Sequence, residues 1–250
     1  MAKNFDNLDF EPIKKAFTNI GKPVVLKPSF GSFGWQVYPN LKKIEDVSWA
    51  VKQVRSECGN DIKTLIEEHF DGREYRVLLT KKGNYVAAMR DPAHVFGDGE
   101  STVSELVEKE NKFRTSEIFN TLNVFKIDGE TERVLSVKNM TMTSVPESKE
   151  KVYLRYNSNT MSGGTFEDCT DRVHSSVIKN CERVFDAFPG LPYAGIDYMT
   201  NDISEEQRDY RIIEVNTNPS VFSHAYPSHG KSQNAAKLIV DMIYPETSLI

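Results

Sequence analysis

Long apolar runs are missing from this 250-residue chain. No stretch approaches the roughly 18–20 residues that a bilayer-spanning helix needs, so membrane insertion is excluded as its business. The opening Met1-Ala2-Lys3-Asn4-Phe5-Asp6 has no apolar core, so no secretory signal is expected there. Cysteine is scarce: Cys58, Cys169 and Cys181 are odd in number, far apart, and form no C-x-x-C pair. The five histidines form no H-x-x-x-H set, so a structural zinc site lacks ligands, and three reduced thiols in a cytoplasmic protein are expected. A basic excess is also lacking. Thirty-one Lys and Arg stand against 36 Asp and Glu, a net charge of −5, which disfavours a nucleic-acid coat.

What is present is enough chain for one large domain or two small ones, with 39% hydrophobic residues. The apolar period switches repeatedly between helix and strand. Val47, Val51, Val54 and Cys58 share one helical face, so Glu45–Cys58 reads as a helix. Residues 9–20, 101–111, 172–187 and 231–243 read as further helices, the last stopping before Pro245. Pro23–Lys27, Ile62–Glu67, Arg73–Thr80, Asn84–Arg90, Pro192–Thr200 and Asp209–Asn216 read as strands. The pair flanking Lys81-Lys82-Gly83 suits a hairpin. Residues 113–150 show no clear period and are expected to be irregular or mobile. The class is α/β or α+β with much antiparallel sheet.

Four segments could carry chemistry. Lys27-Pro28-Ser29-Phe30-Gly31-Ser32-Phe33-Gly34 sets a cation at a strand end before a loop with two glycines and two hydroxyls. Backbone N–H groups in such a loop can approach a phosphate closely, although a plain hairpin loop fits as well. Glu67-Glu68-His69-Phe70-Asp71-Gly72-Arg73-Glu74-Tyr75-Arg76 concentrates acids beside a strand end and a glycine turn. Glu74 could accept the hydroxyl protons of a ribose, and a solvated acidic turn is the competing view. In Arg211–Asn216, period two puts Glu214 and Asn216 on one face, and a hairpin to Gly195-Ile196-Asp197-Tyr198 would add Asp197. Oxygen donors alone, two of them charged, describe a hard-cation site, against the plain alternative of acids facing water. Arg155 to Thr165 joins a cation, two amides and Gly163-Gly164, which suits a closing flap or a surface turn equally.

Two other nucleotide motifs fail. His229-Gly230-Lys231-Ser232 resembles the end of a P-loop, but Ala225 stands where its first glycine belongs and Pro227 lies inside it. No G-x-G-x-x-G opens a helix after a strand.

Taken in order, these segments resemble the ATP-grasp superfamily of carboxylate–amine ligases, above all the ATP-grasp part of bifunctional glutathione synthetases and, second, cyanophycin synthetases. The likeness also takes in Ala93–Thr102, with its Gly97-Asp98-Gly99, and the Ser223–Lys231 stretch. It implies an ATP-grasp fold of two α+β subdomains clamping ATP, at about 20–100 and 101–250, with largely antiparallel sheets. It implies ATP and two Mg²⁺ (or Mn²⁺) as cofactors, and small amino acids or peptides as substrates. By resemblance, Lys27 binds the α/β-phosphates under a loop of Ser29, Gly31, Ser32 and Gly34. Glu67, Glu68 and Phe70 line the adenine hinge, and Glu74 holds the ribose. Asp197, Glu214 and Asn216 hold the metals, Arg155 and Asn159 face the γ-phosphate, and His224, Ala225 and Tyr226 meet the acceptor.

Three departures are visible. Only about twenty residues precede Val24, so the domain that usually comes first, with its phosphate-binding lysine, is expected to be absent. A second copy or a separate subunit would then complete the donor pocket. Ser220 follows Pro219 where relatives carry Gly or Ala, and residues 111–150 lack an Arg-Gly-rich stretch.

Overall fold

The computed structural model describes residues 11–29, 31, 34–59, 62–116 and 124–246. The chain falls into two compact units, Met1–His69 with Pro92–Gly164 and Phe70–Asp91 with Thr165–Ile250. The backbone therefore passes between units three times, and the division differs from contiguous pieces meeting near residue 100.

In the first unit, α1 (Glu11–Ile20) leads to β1 (Val24–Pro28), β2 (Tyr38–Leu41), α2 (Ile44–Cys58) and β3 (Thr64–Glu68). The three strands form an antiparallel sheet in the order β2-β1-β3. Val24 and Leu26 alternate inward and meet Val47, Ala50, Val51 and Val54 of α2, a core closed to water. The same unit holds β6 (His94–Phe96), α3 (Val103–Ser116), α4 (Gly129–Val137) and β7 (Lys151–Tyr153), with β6 and β7 paired antiparallel. Val95, Val103, Leu106, Val107, Leu135 and Val152 form its second core.

Residues 113–150 were expected to be irregular or mobile; among those described, 113–116 end α3 and 129–137 form α4, while 138–150 hold turns without helix or strand. Asp128 caps α4, accepting from Glu130 N at 3.0 Å and Thr131 N at 3.4 Å. The helix is further fixed by Arg133, which donates to both oxygens of buried Glu130 at 2.7 and 2.8 Å and to the Pro39 carbonyl at 3.1 Å. Burial raises the Glu130 pKa and Arg133 opposes it. The cap and the Glu130–Arg133 pair are local, while the Pro39 contact is distant in sequence.

The second unit is built on a five-stranded antiparallel sheet, β10-β9-β4-β5-β8. Its strands are β4 (Arg73–Thr80), β5 (Tyr85–Asp91), β8 (Thr165–Asp168), β9 (Tyr193–Thr200) and β10 (Arg211–Asn216). One face packs Tyr75, Val77, Leu79, Ile196 and Tyr198 against Val177, Cys181 and Val184 of α5 (Ser175–Ala187). On the other, Leu78 and Val86 meet Ala235, Leu238 and Ile239 of α7 (Ala235–Ile243). A short α6 (Phe222–Ala225) precedes α7. No helix among the described residues is long and apolar enough to cross a membrane.

Candidate active site

In the first unit, Lys27 is the penultimate residue of β1, and its Nζ donates to Glu67 Oε1 at 2.5 Å from the neighbouring β3. Glu68 is exposed and pairs with Lys22 at 2.5 Å. The loop after β1 leaves Ser29, Gly31 and Gly34 exposed, and Ser32 lies outside the described residues. Gly34 has a left-handed φ of 63°. A Cβ built on it would sit 3.3 Å from Asn159 Cβ, so this loop and the Asn159 segment are neighbours. Asn157 Nδ2 also donates to the Val37 carbonyl at 3.3 Å, so the two segments meet twice.

Asn159 caps a 3-10 turn over Thr160–Ser162, accepting from Met161 N at 3.0 Å. Gly163 and Gly164 serve close packing here. A Cβ on Gly164 would lie 2.6 Å from the Ser158 carbonyl oxygen, and one on Gly163 would lie 2.2 Å from Phe125. Arg155, expected to face a phosphate, is instead buried. Its Nη2 donates to Asp128 Oδ2 and, at 3.1 Å, to the Lys126 carbonyl. The cap of α4 places a carboxylate beside the guanidinium, and a buried cation needs such a partner.

In the second unit, Phe70 is half-buried, with the Arg211 guanidinium 4.9 Å from its ring centre. The remaining sites lie on one face of the sheet. Glu74 and Arg76 are two apart on β4, so their side chains share that face. Glu74 stands opposite Arg90 of β5, and Arg90 Nη1 donates to Glu74 Oε1 at 2.5 Å. Arg76 stands opposite Asp197 of β9, and both Nε and Nη2 reach that carboxylate, the latter at 3.1 Å. Arg90 Nη1 also reaches Asp197 Oδ2 at 3.3 Å. Asp197 in turn pairs with Glu214 of β10, and Asn216 pairs with Gly195. The three oxygen-bearing residues thus come together as period two expects.

Close approach fixes the end of β10. A Cβ on Gly195 would lie 2.4 Å from Pro219 Cβ, so the Asn218-Pro219 step folds back over a position only glycine fits.

The donor set is two carboxylates and an amide whose Nδ2 is buried and unpaired among the described residues. It fits a hard cation that completes its shell from phosphate and water. Among the described residues, no three His, Cys, Asp or Glu side chains are grouped to hold a metal ion.

The 224–226 stretch divides. Tyr226 is exposed and Ala225 is half-buried, but the His224 ring is 1% exposed and turns inward. Both its nitrogens lack partners among the described residues, and burial, with Arg76 next, pushes its pKa down to about 4. Burial pushes the Cys169 and Cys181 thiols up to about 12, which leaves them poor nucleophiles.

Arg76 and Arg90 escaped the sequence reading. Their signal was present: Arg76 shares the period-two face of Glu74, and the hairpin register sets Arg90 across from Glu74.

This architecture is the ATP-grasp fold. Over 94% of its length the chain matches a crystal structure of a bifunctional glutathione synthetase from Pasteurella multocida, with TM-score 0.60 and 26% identity, covering 33% of that chain. Its sequence is similar to that of ATP-grasp ligases as well. It is 33% identical over 97% of its length to the glutathione biosynthesis bifunctional protein GshAB of Clostridium perfringens, covering 31% of that protein. It is 34% identical over 94% of its length to a cyanophycin synthetase from Synechocystis sp., covering 27%. The chain spans about a third of the length of the curated relatives it matches. No protein-family model matches it.

Proposed function

We propose that the chain forms an amide bond between a carboxylate and an amine at the expense of ATP, with Mg²⁺. The observation that carries this reading is the β9–β10 register, which sets Asp197 against Glu214 with Asn216 one pleat further on. Substrates are small amino acids or peptides, glutathione-synthetase-like in kind; amino-acid polymerisation or peptide tailoring is the in-class alternative. Free thiols at Cys58, Cys169 and Cys181 suit a reducing compartment, and cytoplasm is the assigned place.

In the reaction, a donor carboxylate oxygen attacks the γ-phosphorus. The bond from that phosphorus to the β,γ-bridging oxygen breaks, and ADP leaves with the electron pair. The acceptor amine then attacks the acyl carbon, the bond from that carbon to the phosphate oxygen breaks, and phosphate leaves as the amine's proton passes to solvent. Mg²⁺, as two ions or with Mn²⁺ in their place, neutralises phosphate charge when bound.

Binding roles follow the side chains on each unit. Lys27 supplies a point charge to the phosphates, under the loop of Ser29, Gly31, Ser32 and Gly34. Glu67, Glu68 and Phe70 attend the adenine and Glu74 the ribose. Asp197, Glu214 and Asn216 hold the cation, and Asn159 attends the γ-phosphate from the segment beside Gly34. Arg155 sets that segment through Asp128, and Ala225 and Tyr226 face the acceptor.

The test is to incubate the chain with Mg·ATP, candidate carboxylates and hydroxylamine. A hydroxamate formed together with ADP is expected. Neither ADP nor hydroxamate with any carboxylate, together with no Mg·ATP binding, would overturn the reading. Turnover per site that rises with protein concentration would favour a ligase that needs a second copy or subunit.

A further inference from the structure

Asp197 is already well occupied. Its side chain is 6% exposed, and those of Arg76 and Arg90 are 14% and 13% exposed. Three N–H groups from the two arginines reach it. A carboxylate offers about four lone-pair directions, so roughly one is left for a cation. The guanidiniums keep their charge at any working pH, and their low exposure limits screening by salt. Arg90 also holds Glu74, so one side chain ties the carboxylate assigned to ribose to the carboxylate assigned to metal. Glu74, Asp197 and Glu214 against Arg76 and Arg90 leave this face with little net negative charge. A divalent cation arriving alone meets one well-exposed carboxylate, Glu214, and two fixed positive charges.

Resting on the reading above, we propose that Arg76 and Arg90 make cation binding at Asp197 and Glu214 conditional on a polyphosphate. The two arginines hold Asp197 in place and oppose a bare cation. A nucleotide's phosphates bring the negative charge and the oxygens that these residues lack, so metal and nucleotide enter as one unit. Both arginines are positioning residues, acting through Asp197.

The test is a Mn²⁺ titration of the full chain, followed by water-proton relaxation, without nucleotide and with excess ADP. Wild type should bind Mn²⁺ alone at least about tenfold more weakly than with ADP. R76Q and R90Q, checked for folding by circular dichroism, should each bind Mn²⁺ alone about tenfold more tightly than wild type. Adding E214Q should abolish that gain. R90K, which keeps the charge, should stay close to wild type. Folded arginine variants that bind Mn²⁺ alone no better than wild type would overturn the inference. So would wild type binding Mn²⁺ equally well with and without ADP, a comparison that needs no variant to fold. If wild type binds no ADP under any condition, the ligase reading fails, while the arginine comparison in Mn²⁺ alone is still decided.

Discussion

Gly34 lies against Asn159, at a distance where a Cβ on the glycine would come within 3.3 Å of the asparagine Cβ. The contact joins the loop after β1 to the 3-10 turn that Asn159 caps, 125 positions on in sequence. Gly34 also needs a left-handed backbone, which a side chain strains by about 1–2 kcal/mol. Gly34→Ala should therefore lower stability in urea by about that much. Gly31→Ala should cost much less, because a Cβ there meets nothing closer than Pro28 Cγ at 3.8 Å. Equal losses would mean that the contact with Asn159 is not held.

Asp128 has two duties, capping α4 through Oδ1 and neutralising buried Arg155 through Oδ2. Asp128→Asn keeps a capping oxygen but loses the charge. Asp128→Ala loses both, and the cap alone is worth about 1 kcal/mol. The alanine variant should unfold at lower urea than the asparagine variant, and both below wild type. An asparagine variant as stable as wild type would show that Arg155 needs no carboxylate there.

Much of the second unit was legible from sequence. The β4–β5 hairpin reads directly, because both strands alternate and Gly83 sits in the turn with φ of 86°. The same alternation groups Asp197, Glu214 and Asn216, and the β9–β10 register agrees. The missed pieces are β2, β6, β7 and β8, strands of three or four residues whose pairing is decided by distant partners. Helix α4 was missed although its Asp128 cap is local, because it is only nine residues long and one face is held by the Arg133 contact to Pro39. Nothing in the composition marks the passages between units after His69, Asp91 and Gly164. The burial of Arg155 against Asp128 was not legible, because it depends on where the α4 cap falls.

His224 gives the fold a pH dependence of known sign. Burial first, then the Arg76 charge, holds its pKa at about 4, with Asp168 acting the other way. An unfolded histidine titrates near 6.5, so its contribution is complete above that pH. As pH falls through 6.5 toward 4, the unfolded chain takes up the proton first, and stability drops by about 3 kcal/mol in all. Urea midpoints measured between pH 7 and 4 should fall, and His224→Gln should flatten that part of the curve. An unchanged slope in a folded variant would contradict the neutral, buried ring.

The measurement that bears most directly on the central claim is the melting temperature of wild type and Glu214→Gln with ATP, with and without Mg²⁺. Ligand at about 100 times its Kd stabilises by about 2.7 kcal/mol, a shift that melting resolves easily. Wild type should gain its full stabilisation only when Mg²⁺ accompanies ATP. Glu214→Gln, exposed on β10 and so tolerant of the change, should melt like wild type without ligand and lose most of the Mg²⁺-dependent gain. A variant that gains as much from Mg·ATP as wild type does would contradict the assignment of Asp197, Glu214 and Asn216 to the cation of an ATP-dependent ligase.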